Sequence, residues 1–221
     1  MSGPPVIAID GPSASGKGTV AQGVAESLGF HYLNSGALYR TIALAAQRRG
    51  SEIEESGLAT LARALNARFH GDSVELDGQD ATLAIRAEAV GELASRIAAL
   101  PEVRKALLER QQTFRRPPGL VADGRDMASV VFPDAVLKIF LTASPEERAR
   151  RRYKQLMDKG MGANMAALLQ DIRERDKRDS DRAAAPLQKV ADAVLIDTTD
   201  MSAADAIARV LALYKKAPRA P

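Results

Sequence analysis

The sequence predicts an α/β fold, a five-stranded parallel sheet flanked by helices. Three observations carry the prediction. Five short apolar, β-branched runs alternate with helical patterns along the 221 residues, and strands that are apolar on both sides belong in a sheet covered on both faces. The first run breaks into a Gly/Ser/Pro-rich loop that leads straight into a helix, a join that aims backbone N–H groups at an anion. Charged residues also gather where later strands end, the edge of an open α/β sheet at which ligands bind.

Taken in order, Val6–Asp10 reads as the first buried strand, and Val20, Val24 and Leu28 fall at helical spacing within Gly16–Leu28, which Gly29 closes. Phe30–Leu33 is a short second strand and Gly36–Arg49 a second helix, ended by Gly50. The pattern then changes. Ala67–Phe69, Ser73–Leu76 and Thr82–Ile85 are strand candidates separated by Gly71-Asp72, Asp77-Gly78 and nearby polar residues, the signals of hairpins. They predict a small β-rich insertion over residues 56–92 with helical margins. Glu88–Leu100 and Pro101–Arg116 read as helices, the second opened by a proline whose missing N–H has no helical partner to lose. Leu120–Asp123 and Val136–Leu141 follow as buried strands. Pro145–Lys159 is a strongly basic helix, Gly160-Met161-Gly162 interrupts it, and Asn164–Asp181 resumes a helix of mixed charge. Ala193–Asp197 supplies the fifth strand and Ser202–Lys215 a terminal amphipathic helix, with a frayed tail expected over 217–221. One domain spanning 1–221 is expected, with the insertion inside it.

Composition narrows the chemistry. A hydrophobic content of 46% with no Trp and few aromatics implies a core of Ala, Leu, Val and Ile. No cysteine is present, which excludes disulfides, cysteine-ligated zinc and thiol catalysis. Two histidines are too few for a His-based metal cluster. No apolar run reaches the ~18 residues of a membrane span, and Met1–Pro5 carries no signal-peptide pattern, so a cytoplasmic protein with no membrane partner is expected. The net charge of +3 is the small difference of 31 basic and 28 acidic groups, which suits an anionic small substrate as well as any polyanion. Nucleic acid is not expected as a partner, because acidic residues interleave the Arg-rich 148–182 region and aromatics for stacking are few.

The densest chemical signal is Gly11-Pro12-Ser13-Ala14-Ser15-Gly16-Lys17-Gly18-Thr19. Gly11, Gly16 and Lys17 stand at the spacing of a P-loop, in which glycines let the backbone cradle phosphates and the lysine reaches the β/γ-phosphates. Gly18 takes the position usually held by Ser or Thr, and Thr19 follows it, which leaves open whether a hydroxyl here meets Mg²⁺.

Two further constellations end strands. Ser35-Gly36-Ala37-Leu38-Tyr39-Arg40 opens the second helix. Either Arg40 turns back towards a phosphate, or Ser35 merely caps the helix and Tyr39 packs in the core. In Asp123-Gly124-Arg125-Asp126, Asp123 stands where a carboxylate holds Mg²⁺, directly or through water. Arg125 is a planar fork suited to phosphate, and Asp126 can accept from an amino group. Arg175, Asp179 and Arg182 fall at i, i+4 and i+7 and so share a helical face. Arg148, Arg151 and Arg152 lie in the helix before the Gly-Met-Gly break. They fit either a solvated face or a lid over residues 148–165 that closes on a triphosphate.

Together these motifs resemble the bacterial cytidylate kinases, a P-loop nucleoside monophosphate kinase family, over nearly the whole chain. The resemblance rests on Ile9–Ser13, Gly16–Thr19, Ser35–Arg40, Ala122–Met127, Val130–Ala135, Glu174–Asp179 and Ala185–Leu187 in their order and spacing. It implies transfer of a phosphoryl group from ATP to CMP or dCMP with Mg²⁺, with the 56–92 insertion binding the acceptor. It further implies catalytic roles for Lys17, Asp123, Arg125 and Arg182. Ser95 and Asp126 would accept from the cytosine N4 amino group, and Arg104 would donate to N3 and O2. Arg40, Arg125 and Arg182 would hold the acceptor phosphate, and Ser35, Arg175 and Asp179 would serve its phosphate and sugar. A monomer is expected. Within the enzyme class the alternative acceptors are UMP, AMP or a non-nucleotide such as shikimate. Outside it the alternative is a nucleotide-dependent switch, against which stands the lack of an Asn-Lys-x-Asp guanine-reading motif.

Overall fold

The computed structural model describes residues 3–50, 54–70, 73–158, 160 and 162–217. In chain order its strands are β1 (Val6–Asp10), β2 (His31–Asn34), β3 (Ala67–His70), β4 (Ser73–Leu76), β5 (Gln79–Asp80), β6 (Leu120–Gly124), β7 (Leu137–Thr142) and β8 (Val194–Asp197). The helices are α1 (Lys17–Leu28), α2 (Ser35–Arg48), α3 (Glu55–Arg63), α4 (Glu88–Ile97), α5 (Pro101–Gln112), α6 (Pro145–Met157), α7 (Met165–Asp181) and α8 (Ala203–Lys216). The chain divides into two compact units, Met1–His31 with Arg115–Pro221, and Tyr32–Phe114.

The five-stranded parallel sheet that the apolar runs predict has the strand order β2-β6-β1-β7-β8. β1 is buried along its length and pairs with β6 on one side and β7 on the other, which sets Ile9 opposite Asp123 and Asp10 opposite Gly124. In the first unit α1 packs on β1 and β6, and α8 packs on α1 and β7. Ile7, Ile9, Leu120 and Ile139 are wholly buried beneath them, each contributing roughly 1.5–3 kcal/mol. The sheet thereby places the ends of β1 and β6 side by side, with Asp10, Asp123, Arg125 and Asp126 in or just beyond those ends.

In the second unit α2 packs on α3 and α4, and α3 on α5. Asn34 caps α2, its side chain accepting from Ala37 N–H at 2.9 Å, so the capping alternative raised for Ser35 falls to its neighbour. A separate antiparallel sheet runs β3-β4-β5. Its β3–β4 turn pair, Gly71-Asp72, lies outside the described residues. Asp77 and Gly78 join β4 to β5 with φ of 52° and 78°, the left-handed pair that a tight hairpin demands.

Two expectations are corrected. Thr82–Ile85 is not a strand; the third strand is Gln79–Asp80. The Asp80 carboxylate accepts from Thr82 N–H at 2.8 Å and turns the chain there, after which Ala84–Arg86 coils into a 3₁₀ turn that buries Ile85. A short side-chain-to-backbone bond outcompetes the β propensity of the run. Arg182 is not on the helical face of Arg175 and Asp179, because α7 stops at Asp181 and Arg182 is extended at ψ 135°. Lys159, the expected end of the basic helix, Met161, in the expected break, and the tail residues 218–221 lie outside the described residues.

Candidate active site

The loop from Gly11 to Gly16 joins β1 to α1. Ala14 (φ 56°) and Gly16 (φ 90°) are left-handed, an alternation of hand that turns successive N–H groups to one side. The opposite side is anchored. Lys17 Nζ donates to the Pro12 carbonyl at 3.1 Å, and Arg148 Nη1 to the Ser13 carbonyl at 3.2 Å. Arg151 Nη1 and Thr198 Oγ1 each donate to the Ser15 carbonyl at 3.1 Å. Ser15 Oγ is buried without a hydrogen-bond partner among the described residues. Burial, then Arg125, pushes the Lys17 ammonium down to about 7, with Asp123 opposing.

Asp10 closes β1 at the start of the loop. It is buried, and its carboxylate accepts from Met127 N–H at 2.9 Å and Ala128 N–H at 2.8 Å. It thus pegs the turn after β6 to the end of β1. Burial raises its pKa to about 6 despite those two hydrogen bonds, Asp126 adding to the rise. The sequence signal was available: a lone carboxylate closing an otherwise apolar strand. Asp123 and Asp126 are also buried, Asp123 within β6 and Asp126 at the start of a single π-helical turn over Met127–Val131.

Arg125 Nε donates to Asp179 Oδ2 at 2.7 Å and Nη1 to the Gly124 carbonyl at 3.2 Å. The first pair brings together the turn after β6 and α7. Arg182 Nε donates back to the Ala185 carbonyl at 2.5 Å. The arginines of α6 divide. Arg148 is 3% exposed and bound to Ala143, Ser13 and Asp176, the state of a fastened core residue and not of a solvated or lid arginine. Arg151 reaches Glu147, Ser15 and Thr198, while Arg152 is half-buried.

In the second unit Ser35 Oγ donates to Gln111 Oε1 at 2.9 Å, both residues being buried. Arg40 Nη1 donates to the Ile85 carbonyl at 2.8 Å. Arg104 Nη1 donates to the Ala98 carbonyl at 3.2 Å and lies 3.5 Å from Tyr39 Oη. Ser95 is buried, and its Oγ has no hydrogen-bond partner among the described residues. Gln111 meets Ser35 across helices α2 and α5, a contact that spacing alone does not single out.

Beside the phosphate loop the first unit holds a cavity of about 430 Å³, lined by Gly16, Thr19, Arg151, Thr198 and the Thr199–Ala203 segment among others. Among the described residues no helix is long and apolar enough to cross a membrane.

A parallel sheet whose first strand runs through a cation-backed N–H cradle into a helix defines the P-loop class of nucleotide-binding proteins. The family model for cytidylate kinase matches residues 7–216. The cytidylate kinase of Nitrosomonas europaea is 55% identical over 217 residues, covering 98% of this chain and 97% of the relative. That of Cupriavidus pinatubonensis is 59% identical over 207 residues, covering 93% and 94%. A gluconokinase from Sinorhizobium meliloti shares the fold alone, with a TM-score of 0.50 at 18% identity over 98% of this chain and 95% of its own. The chain belongs to the cytidylate kinase family.

Proposed function

We propose that the chain transfers the γ-phosphoryl group of ATP to CMP or dCMP, giving ADP and CDP or dCDP. Family membership supports the reaction. The observation that carries the residue-level reading is the loop of residues 11–19, whose carbonyls are anchored on one side beside a buried lysine. Its N–H groups, with Lys17, take the ATP phosphates. The cavity lined by Arg151 and Thr198 takes the base and ribose.

The acceptor roles follow the resemblance to the family. Arg40, Arg125 and Arg182 hold its phosphate; Ser35, Arg175 and Asp179 serve the phosphate and sugar. Ser95 and Asp126 accept from the cytosine N4 amino group, and Arg104 donates to N3 and O2. A buried hydroxyl with no protein partner, as at Ser95, supports a polar ligand there. Uracil reverses the pattern at N3 and position 4, so buried groups would meet like partners. No general base is needed, since the acceptor is already a phosphate anion. The barrier is charge repulsion and alignment, which Lys17 and the arginines address.

Among the described residues no cluster of three or more carboxylates, histidines or cysteines could cage a metal ion. Asp123, a buried carboxylate beside Lys17, fits Mg²⁺ that arrives on the phosphates and keeps waters of its own. When bound, that ion neutralises charge on the ATP phosphates; Asp123 would hold it directly or through water. The 56–92 insertion belongs to the acceptor side. The lid reading for 148–165 rests on Arg151 and Arg152. The enzyme works as a cytoplasmic monomer on free nucleotides, without membrane or nucleic acid.

The test is ADP release with Mg·ATP across CMP, dCMP, UMP, AMP, GMP and shikimate, against an acceptor-free blank. Turnover confined largely to CMP and dCMP is expected. Preference for another acceptor overturns the pocket, and silence from folded, ATP-binding protein overturns the kinase reading in favour of a switch.

A further inference from the structure

We propose that Arg148 is a positioning residue of the phosphate loop, fixing the direction of the peptide between Ser13 and Ala14 and so the aim of the Ala14 N–H at the donor phosphates. A trans peptide holds its C=O and N–H on opposite sides, so a cation that grips the Ser13 carbonyl from behind turns the next N–H forward. The Arg148 guanidinium occupies that place, with Nη1 3.2 Å from the Ser13 carbonyl. It cannot drift. Nε is held by the Ala143 carbonyl at 2.9 Å, and Nη1 and Nη2 by the Asp176 carboxylate at 2.9 and 2.5 Å.

The loop needs such a hold. Ala14 sits at φ 56°, a conformation that costs a residue with a Cβ about 1–2 kcal/mol relative to right-handed backbone. Lys17 grips Pro12 in the same manner, and Arg151 with Thr198 grips Ser15. Yet Lys17 and Arg151 also face the ligand side of the site or the cavity beside it, whereas Arg148 is 3% exposed and has no face to offer a nucleotide. The contact to Ser13 adds nothing to the tie between α6 and α7, which the Asp176 pair already makes. That division gives the pair two separable effects: one on stability through Asp176, one on ATP binding through Ser13.

The inference rests on residues 11–19 holding the ATP phosphates. The test compares full-length Arg148→Lys with the double variant Arg148→Met/Asp176→Leu, measuring ATP affinity by calorimetry, KM for each substrate, and Tm. Lysine reaches a single point and cannot replace the fork. The double variant leaves no buried charge unpaired, so it folds even where single changes do not. In each variant that folds, ATP affinity falls about tenfold, the size of one charge-assisted hydrogen bond, while KM for CMP stays within about twofold. A folded variant with normal ATP affinity, whatever its Tm, overturns the proposal. Lys17→Ala separates the two claims: normal ATP binding in that variant removes the loop reading and the Arg148 proposal with it. Loss of binding in Lys17→Ala beside normal binding in the Arg148 variants removes the Arg148 proposal alone.

Discussion

Arg125 Nε stands 2.7 Å from Asp179 Oδ2, with the two side chains 16% and 8% exposed. The pair fastens the turn after β6 to α7, and it bears on the titration of Asp179. Burial alone would push the Asp179 carboxyl up, but Arg125, with Arg175 and Arg182, holds it below the usual carboxylate range. A depressed carboxyl pKa gives stability that is present above the unfolded value near 4 and lost as pH falls through the folded value. Asp179→Asn is therefore expected to unfold less steeply with acid below about pH 4. Asp179→Ala takes the carboxylate partner from the half-buried Arg125 guanidinium and should cost about 1–3 kcal/mol in urea unfolding. With Arg125 unfastened, KM for CMP should rise at least about tenfold.

Lys17 gives a prediction of the same sign in a higher pH window. Its ammonium is pushed down to about 7 by burial and then by Arg125, so above that pH the empty enzyme holds a neutral amine. The unfolded chain then binds the extra proton, and this group's contribution to stability rises as pH climbs from about 7 towards 10.5. A bound triphosphate restores the charge. ATP binding at pH 8 should take up protons, read as a difference in binding heat between two buffers of unlike ionisation enthalpy, and Lys17→Arg should abolish the uptake. Equal heats for the unsubstituted chain would contradict the assignment of Lys17 to the phosphates.

The strands and helices of the first unit were legible because local and tertiary preferences agree there. Val6–Asp10 is β-branched, apolar and buried on both faces, and Ser202 is both a capping residue and an observed cap. Legibility failed where a single side chain decided. Asp80 bends the chain away from a strand at Thr82, and the extended Arg182 leaves the face that spacing put it on. The site followed the same division. Residues contiguous with the phosphate loop were readable from order alone. Asp10 clasping Met127, Ser35 meeting Gln111 and Arg148 gripping Ser13 join positions far apart in the chain, and no local pattern encodes a partner at such separation.

Ser95 separates stability from selectivity. Its Oγ is buried with no hydrogen-bond partner among the described residues, so the empty protein bears the desolvation of that hydroxyl without return. Ser95→Ala should leave stability unchanged or raise it by about 1 kcal/mol. If Oγ accepts from the cytosine amino group, the same variant loses about tenfold in kcat/KM for CMP and narrows the gap between CMP and UMP. A destabilised variant with unaltered preference would place Ser95 in packing instead.

Two glycines in the first unit distinguish a rigid wall from a yielding one. A Cβ on Gly11 would lie 2.0 Å from the Leu141 carbonyl oxygen. That atom belongs to the backbone of β7, central in the sheet, so it cannot swing aside, and either the loop or the strand must move. A Cβ on Gly23 would lie 2.4 Å from Ile207 Cδ1, the far end of a side chain that can change rotamer. Overpacking against a fixed wall costs about 1–3 kcal/mol or more, whereas Gly→Ala within a helix gains about 1 kcal/mol in propensity against whatever the isoleucine gives up. Gly11→Ala should thus lose at least about tenfold in ATP affinity with a lower Tm, and Gly23→Ala should keep both kinetic constants within about twofold. If the two variants bind ATP alike, the contact of the loop with β7 does not set the cradle.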